Sequence, residues 1–445
     1  MPAGNELLLL TLGAIALLLF LILVTRLHAF LALLLTSMTF GLACRMEPVK
    51  VLKSMQSGFG EALGFIAVVI ALGAMIGRFL EHSGGGRALA EALLSRFGRE
   101  RAAWAVLVAA FLIGLPIFFE VGFIILVPIA WSLARESKKS LLFYGLPIAA
   151  ALSVTHSMVP PHPAPAAAAA LLGADLGKAI LYGAMVSIPM AIAGGIFYGK
   201  WIANRLFIPV PAQATDESHA SDGMPPPHVG LVVLLVTLPV MLIFAATAAG
   251  NTKSALTPAL LFLGHPFTAL TITAMASMYV FGFHRGMDRN AVGKMSTQSL
   301  APIGTLLAII GGGGAFKQVI VDSGVGPYAG QLLASSSISP LLLAYAVALA
   351  MRVAQGSATV AIITAAGIIA PVVKGLPGYT PEMILLALCC GGTSLSHVND
   401  AGFWLVNESL GMTVPQTLRS WTVMKVITSF VGIAIVMAAQ AILHW

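Results

Sequence analysis

Three ionisable residues stand inside or beside stretches of this sequence that otherwise carry no charge. Glu120 is the sole charge of 102–134, with 18 uncharged residues before it and 14 after it. Arg352 follows 29 uncharged residues and precedes 21 more. Asp400 ends a polar run that includes Ser394, Ser396, His397 and Asn399. Placing such groups at membrane depth costs about 2.5–3.5 kcal/mol each on insertion scales, so each needs a chemical or structural reason. A lone carboxylic acid, Glu120, is suited to carrying a proton. A guanidinium, Arg352, matches a carboxylate through two parallel hydrogen bonds. Asp400 is suited equally to carrying a proton and to capping a helix that starts near Ala401.

Around these charges lie small polar side chains. Ser153, Thr155, Ser394, Ser396 and Asn399 can exchange hydrogen bonds with a polyhydroxylated solute, and Gln355, Ser357 and Thr359 follow Arg352 closely. The stretch 153–165 holds four prolines within a run, 140–174, that has no Asp, Glu, Lys or Arg. Proline removes a backbone donor and clashes with the preceding turn, so a continuous helix is excluded there. Backbone groups freed in hydrocarbon cost several kcal/mol unless protein or a water-lined cavity satisfies them. A polar break at depth is therefore read as a solute site, with a packing kink as the alternative. For His156 and His397, bonding that merely holds the broken backbone competes with solute contact or proton relay. A broken helix also presents free N–H groups, which favour an anion. These features point to a small hydroxylated acid.

The elements that must hold these residues are membrane helices. Of the 445 residues 58% are hydrophobic and only 9% charged, far from the roughly 25% charged of soluble domains. The lipid bilayer is thus the expected partner of most of the chain. A formal charge of +7, spread over short loops, suits anionic lipid and forms no nucleic-acid stripe. Cys44, Cys389 and Cys390 have neither the number nor the spacing of a disulfide framework or zinc site, so no metal is expected. The apolar run 7–24 is read as a retained first helix rather than a signal peptide.

Landmarks recur in the same order. Ser83-Gly84 and Ser323-Gly324 are offset by 240, and Ser153-x-Thr155-His156 and Ser394-x-Ser396-His397 by 241. Between each pair of landmarks lies one candidate hairpin, its tip expected at Glu120-Val121-Gly122 in the first half and around Arg352–Thr359 in the second. The fold expected is an all-α polytopic membrane protein of two inverted repeats with re-entrant hairpins and broken transmembrane helices. Its divisions are 1–200, a polar linker at 201–228, and 229–445.

At these residues the chain resembles the gluconate permease family, sugar-acid proton symporters of the ion transporter superfamily. The resemblance rests on Phe119-Glu120-Val121-Gly122-Phe123, on 149–156, on Pro160-Pro161-His162-Pro163, on 309–319, on 356–360 and on 396–404. It covers nearly the whole chain. It implies a multi-pass permease of the bacterial inner membrane that imports a sugar acid with protons by an elevator-like or rocking motion. No cofactor beyond the coupling proton is implied, and a homodimer is one open assembly state. Members of the family carry gluconate, other aldonates or ketoaldonates, and in one branch D-serine. The chain departs from the family pattern at Pro163-Ala164-Pro165, where a glycine is expected, and at Ala401, where proline is expected.

Other functions leave different marks. Sodium-coupled carriage of a dicarboxylate or amino acid is the nearest alternative. A membrane-embedded hydrolase using His156, His162, His397 and Asp400 has no HExxH or GxSxG setting to support it, so no catalytic residue is assigned. A passive channel suits paired broken segments and buried charges of both signs less well than an alternating site.

Overall fold

The structure, a computed structural model, describes residues 4–211, 225–249, 256–325, 328, 338–398 and 400–443. Every regular element among them is helical. In an apolar medium only a structure that satisfies its own N–H and C=O groups is affordable, which selects helices from these apolar runs. Six helical stretches are long and apolar enough to cross a membrane: 5–22, Pro48–His82, Leu142–Leu172, Leu176–Ala203, Pro266–Arg285 and Val414–Ile442.

The first half runs α1 (Gly4–Leu23), α2 (Ala29–Ala43), α3 (Pro48–His82), α4 (Gly85–Phe97), α5 (Ala102–Ile113), α6 (Phe119–Ser137), α7 (Leu142–Met158), α8 (Pro163–Leu172) and α9 (Leu176–Ala203). After the linker come α10 (Val229–Ala249), α11 (Thr257–Leu263), α12 (Pro266–Phe281), α13 (Arg289–Leu300) and α14 (Gly304–Asp322). The chain ends with α15 (Pro340–Gln355), α16 (Ala358–Val373), α17 (Pro381–Thr393), α18 (Ala401–Ser409) and α19 (Val414–Ile442).

Two packing groups matter for the site. In the first, α3 lies along α14, with α2 and α12 beside them. Gly58 and Gly314 allow the close crossing: a Cβ on either would stand 2.3 Å from the other's carbonyl oxygen. Small residues at such crossings let membrane helices approach to backbone contact. In the second group, α7 packs on α5, α6 and α9, while α17 packs on α15, α16 and α19. Besides the packing of α3 on α14, the two halves meet where α8 contacts α16 and α17. The Glu382 carboxylate fastens them by accepting the Asp175 N–H at 2.7 Å.

The order helix, short turn, helix, then helix, chain break, helix occurs in each half. It is α5, Gly114–Phe118, α6, α7, Val159–His162, α8 in the first, and α15, Gly356-Ser357, α16, α17, Ser394–Asp400, α18 in the second. The first turn corrects the expectation from sequence. It lies at Gly114–Phe118, not at Glu120-Val121-Gly122, because Pro116 cannot continue α5 and the chain re-enters helix only at Phe119. Glu120 therefore sits in the first turn of α6. The second turn falls within the expected region: Gly356 takes φ +77°, a left-handed conformation suited to glycine, and Ser357 caps α16 by accepting the Val360 N–H. Arg352 stands one turn before it, in the last turn of α15.

Candidate functional site

The second chain break and the second turn are joined by Arg352, which is only 2% exposed. Its Nε donates to the Ser394 carbonyl at 3.0 Å, and its two terminal nitrogens donate to the Gly356 carbonyl and to Asp400 Oδ2. One guanidinium thus satisfies a carbonyl freed by the break, a carbonyl freed at the end of α15, and a carboxylate. The planar fork of arginine, with five donors, makes this possible where lysine could not.

Asp400 has a double role. Its Oδ1 accepts the Gly402 N–H at 3.1 Å, capping α18, while Oδ2 takes both Arg352 and the Ser396 hydroxyl. The capping and charge-bearing roles expected separately are therefore held by one side chain. Ser396 is fully buried, and it accepts the Trp421 indole N–H at 2.6 Å. The Ser396 carbonyl accepts the Thr422 hydroxyl. The irregular segment is thereby held by α19 rather than by its own helix, as a buried backbone requires.

The first break is built differently. His162 Nε2 faces the Gly114 carbonyl at 2.5 Å; since a carbonyl only accepts, Nε2 carries the hydrogen. That bond ties the break to the first turn. His156 lies 4.9 Å from His162, ring to ring, and Phe118 packs against both. The Nδ1 atom of His156 is buried without a hydrogen-bond partner among the described residues. Of the three site histidines His156, His162 and His397, His162 bonds the Gly114 carbonyl and His397 faces the Val353 carbonyl at 3.3 Å, whereas no bond from His156 to a backbone group is formed among the described residues.

Ser153 and Thr155, expected to meet solute, bond here to carbonyls of their own helix, Ser153 to Ala150 and Thr155 to Ala151 and Leu152. These bonds satisfy acceptors near the end of α7. Ser394 contributes its carbonyl to Arg352. Thr359 lies in the first turn of α16 and is half-buried. Asn399 and the side chain of Gln355 lie outside the described residues.

A buried chain links the two breaks, and the sequence reading did not anticipate it. Ser157 Oγ lies 3.0 Å from Thr393 Oγ1, which accepts from Lys425 Nζ at 2.5 Å. Lys425 is 3% exposed and stands 5.5 Å from the centre of the Trp421 ring. The available signal was a lone lysine in the third position of the apolar run 423–443. Arg352, Asp400 and His156 all lie within its electrostatic reach.

Phe119 and Glu120 begin α6 near this cluster. Phe119 is buried, stacks on Phe123 and lies 5.4 Å from the Trp421 ring. The next residue, Glu120, is exposed and within electrostatic reach of Asp400. A structural ion pair of Glu120 with Arg352 or Lys317 is the alternative to a proton role; among the described residues neither is formed, and Arg352 pairs with Asp400 instead. Beside the first turn, a cavity of about 380 Å³ is lined by Ile117, Phe118 and Val121 and by Arg78, Glu81 and Gln298. Among the described residues no group of His, Cys, Asp or Glu is placed to hold a metal ion.

The family model of the GntP family permeases matches residues 6–442 of this sequence. The chain belongs to that family. A gluconate permease of Pseudomonas aeruginosa is 41% identical to this GntP family permease over 95% of each chain. The high-affinity gluconate transporter of Escherichia coli is 38% identical over 94% of this chain and 96% of its own. The Gnt-II system L-idonate transporter of the same organism is 37% identical over 97% and 98%. Among solved structures, Neisseria gonorrhoeae MtrF superposes with a TM-score of 0.64 at 16% identity, covering 87% of this permease and 83% of MtrF. The Alcanivorax borkumensis YdaH transporter gives 0.61 at 16% identity over 88% and 89%. The fold is therefore shared with transporters of quite different sequence. This permease is an integral membrane transporter and not an enzyme.

Proposed function

We propose that this permease takes up gluconate or a closely related sugar acid together with protons across the bacterial inner membrane. The observation that carries the reading is the Arg352–Asp400 pair, a buried guanidinium whose only carboxylate partner among the described residues sits on a chain break. A sugar-acid carboxylate is the ligand that can compete for such a fork, and the hydroxyl-rich surroundings suit the rest of the solute. The names of the relatives, gluconate and L-idonate transporters, support the same substrate class.

In this reading α5 with α6, and α15 with α16, are re-entrant hairpins. The two halves are inverted repeats whose breaks meet near the bilayer midplane. The recurring order of elements supports this, as do α5 and α15, whose 12 and 16 residues are short for a full span. Glu120 carries the proton; its side chain is exposed and lies within electrostatic reach of Asp400. The solute meets Arg352, His156 and the hydroxyls of the two breaks. No cofactor is required.

The test is uptake of labelled gluconate and L-idonate into proteoliposomes with an imposed pH gradient, repeated with choline replacing sodium. Gradient-driven accumulation independent of sodium is expected. Accumulation that follows sodium alone would replace the proton with sodium as the coupling ion, and no accumulation of any sugar acid would overturn the reading.

A further inference from the structure

Three membrane-crossing stretches have an end at one rim of the molecule: α7 and α19 start there and α9 finishes there. Hydrogen bonds pin these ends together. Ser140 Oγ donates to the Leu206 carbonyl at 2.9 Å and accepts the Ile208 N–H at 3.0 Å, the Leu141 N–H donates to the Ile208 carbonyl, and the Tyr198 hydroxyl donates to the Arg419 carbonyl. The segments 135–145, 198–211 and 408–420 that form the rim carry six basic residues against two acidic ones, Glu136 and Glu408. We propose that this rim binds the phosphate headgroup of an anionic phospholipid between Lys139 and Lys200.

Both ammonium groups stand over the same ring. Lys139 Nζ lies 4.4 Å and Lys200 Nζ 5.9 Å from the centre of Phe143. The negative face of an aromatic ring holds a cation without neutralising it. Neither ammonium has a carboxylate partner or a hydrogen-bond acceptor among the described residues, so their N–H donors are open to a ligand. Two like charges drawn to one ring repel, and an anion between them turns that repulsion into attraction. Because the ring already orders the lysine side chains, less freedom is lost when the anion arrives. Later in the same segment Arg205 lies 4.0 Å from the Trp201 ring, which stacks on Tyr198 at 5.7 Å.

Position decides the source of the phosphate. Cations at the ends of membrane-crossing helices lie level with the headgroups, where tryptophan and other aromatic rings collect. Trp201 and Phe207 are 49% and 64% exposed, as rings of that belt are. Phe197, about one turn before Trp201 on α9, is also exposed, and Ile188 and Met185 farther along the same helix offer apolar surface to the acyl chains. A second copy of the chain would bring the same surplus of positive charge to this rim and be repelled.

The experiment is native mass spectrometry of the purified, delipidated full-length permease, titrated with phosphatidylglycerol or with phosphatidylcholine of the same acyl chains. The wild type should bind phosphatidylglycerol about tenfold more tightly than phosphatidylcholine. The double variant Lys139→Gln/Lys200→Gln should lose about tenfold or more of its affinity for phosphatidylglycerol, the scale of two basic contacts near an anionic headgroup, and keep its affinity for phosphatidylcholine. Phe143→Leu, which keeps both charges and removes the ring that gathers them, should lose about threefold. Lys50→Gln/Lys53→Gln takes the same charge from exposed positions at the start of α3 and should bind as the wild type does. Equal affinity of the wild type for the two lipids would overturn the proposal, as would an equal loss in the Lys50/Lys53 variant, which would mean a response to overall charge. Complete displacement of phosphatidylglycerol by an equal concentration of inorganic phosphate would make this a free-phosphate site instead. A change in the proportion of dimers in Lys139→Gln/Lys200→Gln with lipid binding unaltered would make the rim an interface between copies.

Discussion

The indole of Trp421 donates to the hydroxyl of Ser396 at 2.6 Å, and that hydroxyl in turn donates to the carboxylate that pairs with Arg352. Helix α19 thereby helps fix the second chain break through a hydrogen bond from an otherwise apolar side chain, beside the bond from the Thr422 hydroxyl to the Ser396 carbonyl. Trp421→Phe keeps a ring against Phe119 and removes only the donor. Leaving a buried acceptor unsatisfied costs about 1–3 kcal/mol. The expected outcome is a lower melting temperature in detergent together with an uptake KM for the sugar acid raised roughly five- to tenfold. A lower melting temperature with unchanged KM would mean that the bond supports the fold without positioning the site.

Arg352 serves three acceptors at once, and no other natural side chain has that reach and geometry. Arg352→Lys keeps the charge but can hold one of these acceptors well and at best a second. Transport should fall below detection in Arg352→Lys, while the protein still elutes as a folded species. Arg352→Gln strands Asp400 and should lose about 3–5 kcal/mol of stability, the usual penalty for breaking a buried ion pair. Fluorescence-detected size exclusion after graded heating separates the two effects. Uptake by Arg352→Lys near the wild-type rate would remove the guanidinium from solute recognition.

Gly114 begins the first turn against Thr155. A Cβ added there would stand 2.3 Å from Thr155 Oγ1 and 2.9 Å from the Ala110 carbonyl. Gly114→Ala should therefore push the turn away from α7, stretch the bond from His162 to the Gly114 carbonyl, and cost about 1–3 kcal/mol as an overpacked contact does. Thr155→Ala in the same chain removes the nearer obstacle and should recover part of the loss. The double-mutant cycle, read by thermal melting, measures that coupling; strictly additive effects would show that the two positions do not press on each other.

What could be read from the sequence was the membrane character, the two chain breaks and the repeated order of landmarks. Each of these is a local property. Low charge and long apolar runs dictate helices in lipid, and proline at 160–163 or a polar run at 394–400 interrupts them whatever the rest of the chain does. The position of the first turn was not read correctly, because Glu120 carries the charge while Pro116 marks the bend. Charge drew attention four residues too far along.

The partners of the ionisable residues were a matter for tertiary structure alone. Arg352 and Asp400 come from separate helical elements, and the pairing of Arg352 with Asp400 rather than Glu120 follows from how α15 packs on α17 beside the second break. Lys425 was hidden because a single lysine near the start of the 21-residue apolar stretch Val423–Leu443 barely changes its hydropathy. Its importance arises only once α19 carries it against Thr393 and, through Ser157, to the first break. Residue type and local spacing decide where a helix must stop and which groups are costly to bury. Only three-dimensional packing decides which of those groups compensate one another, because Coulomb and hydrogen-bond energies depend on distances that the order of residues does not contain.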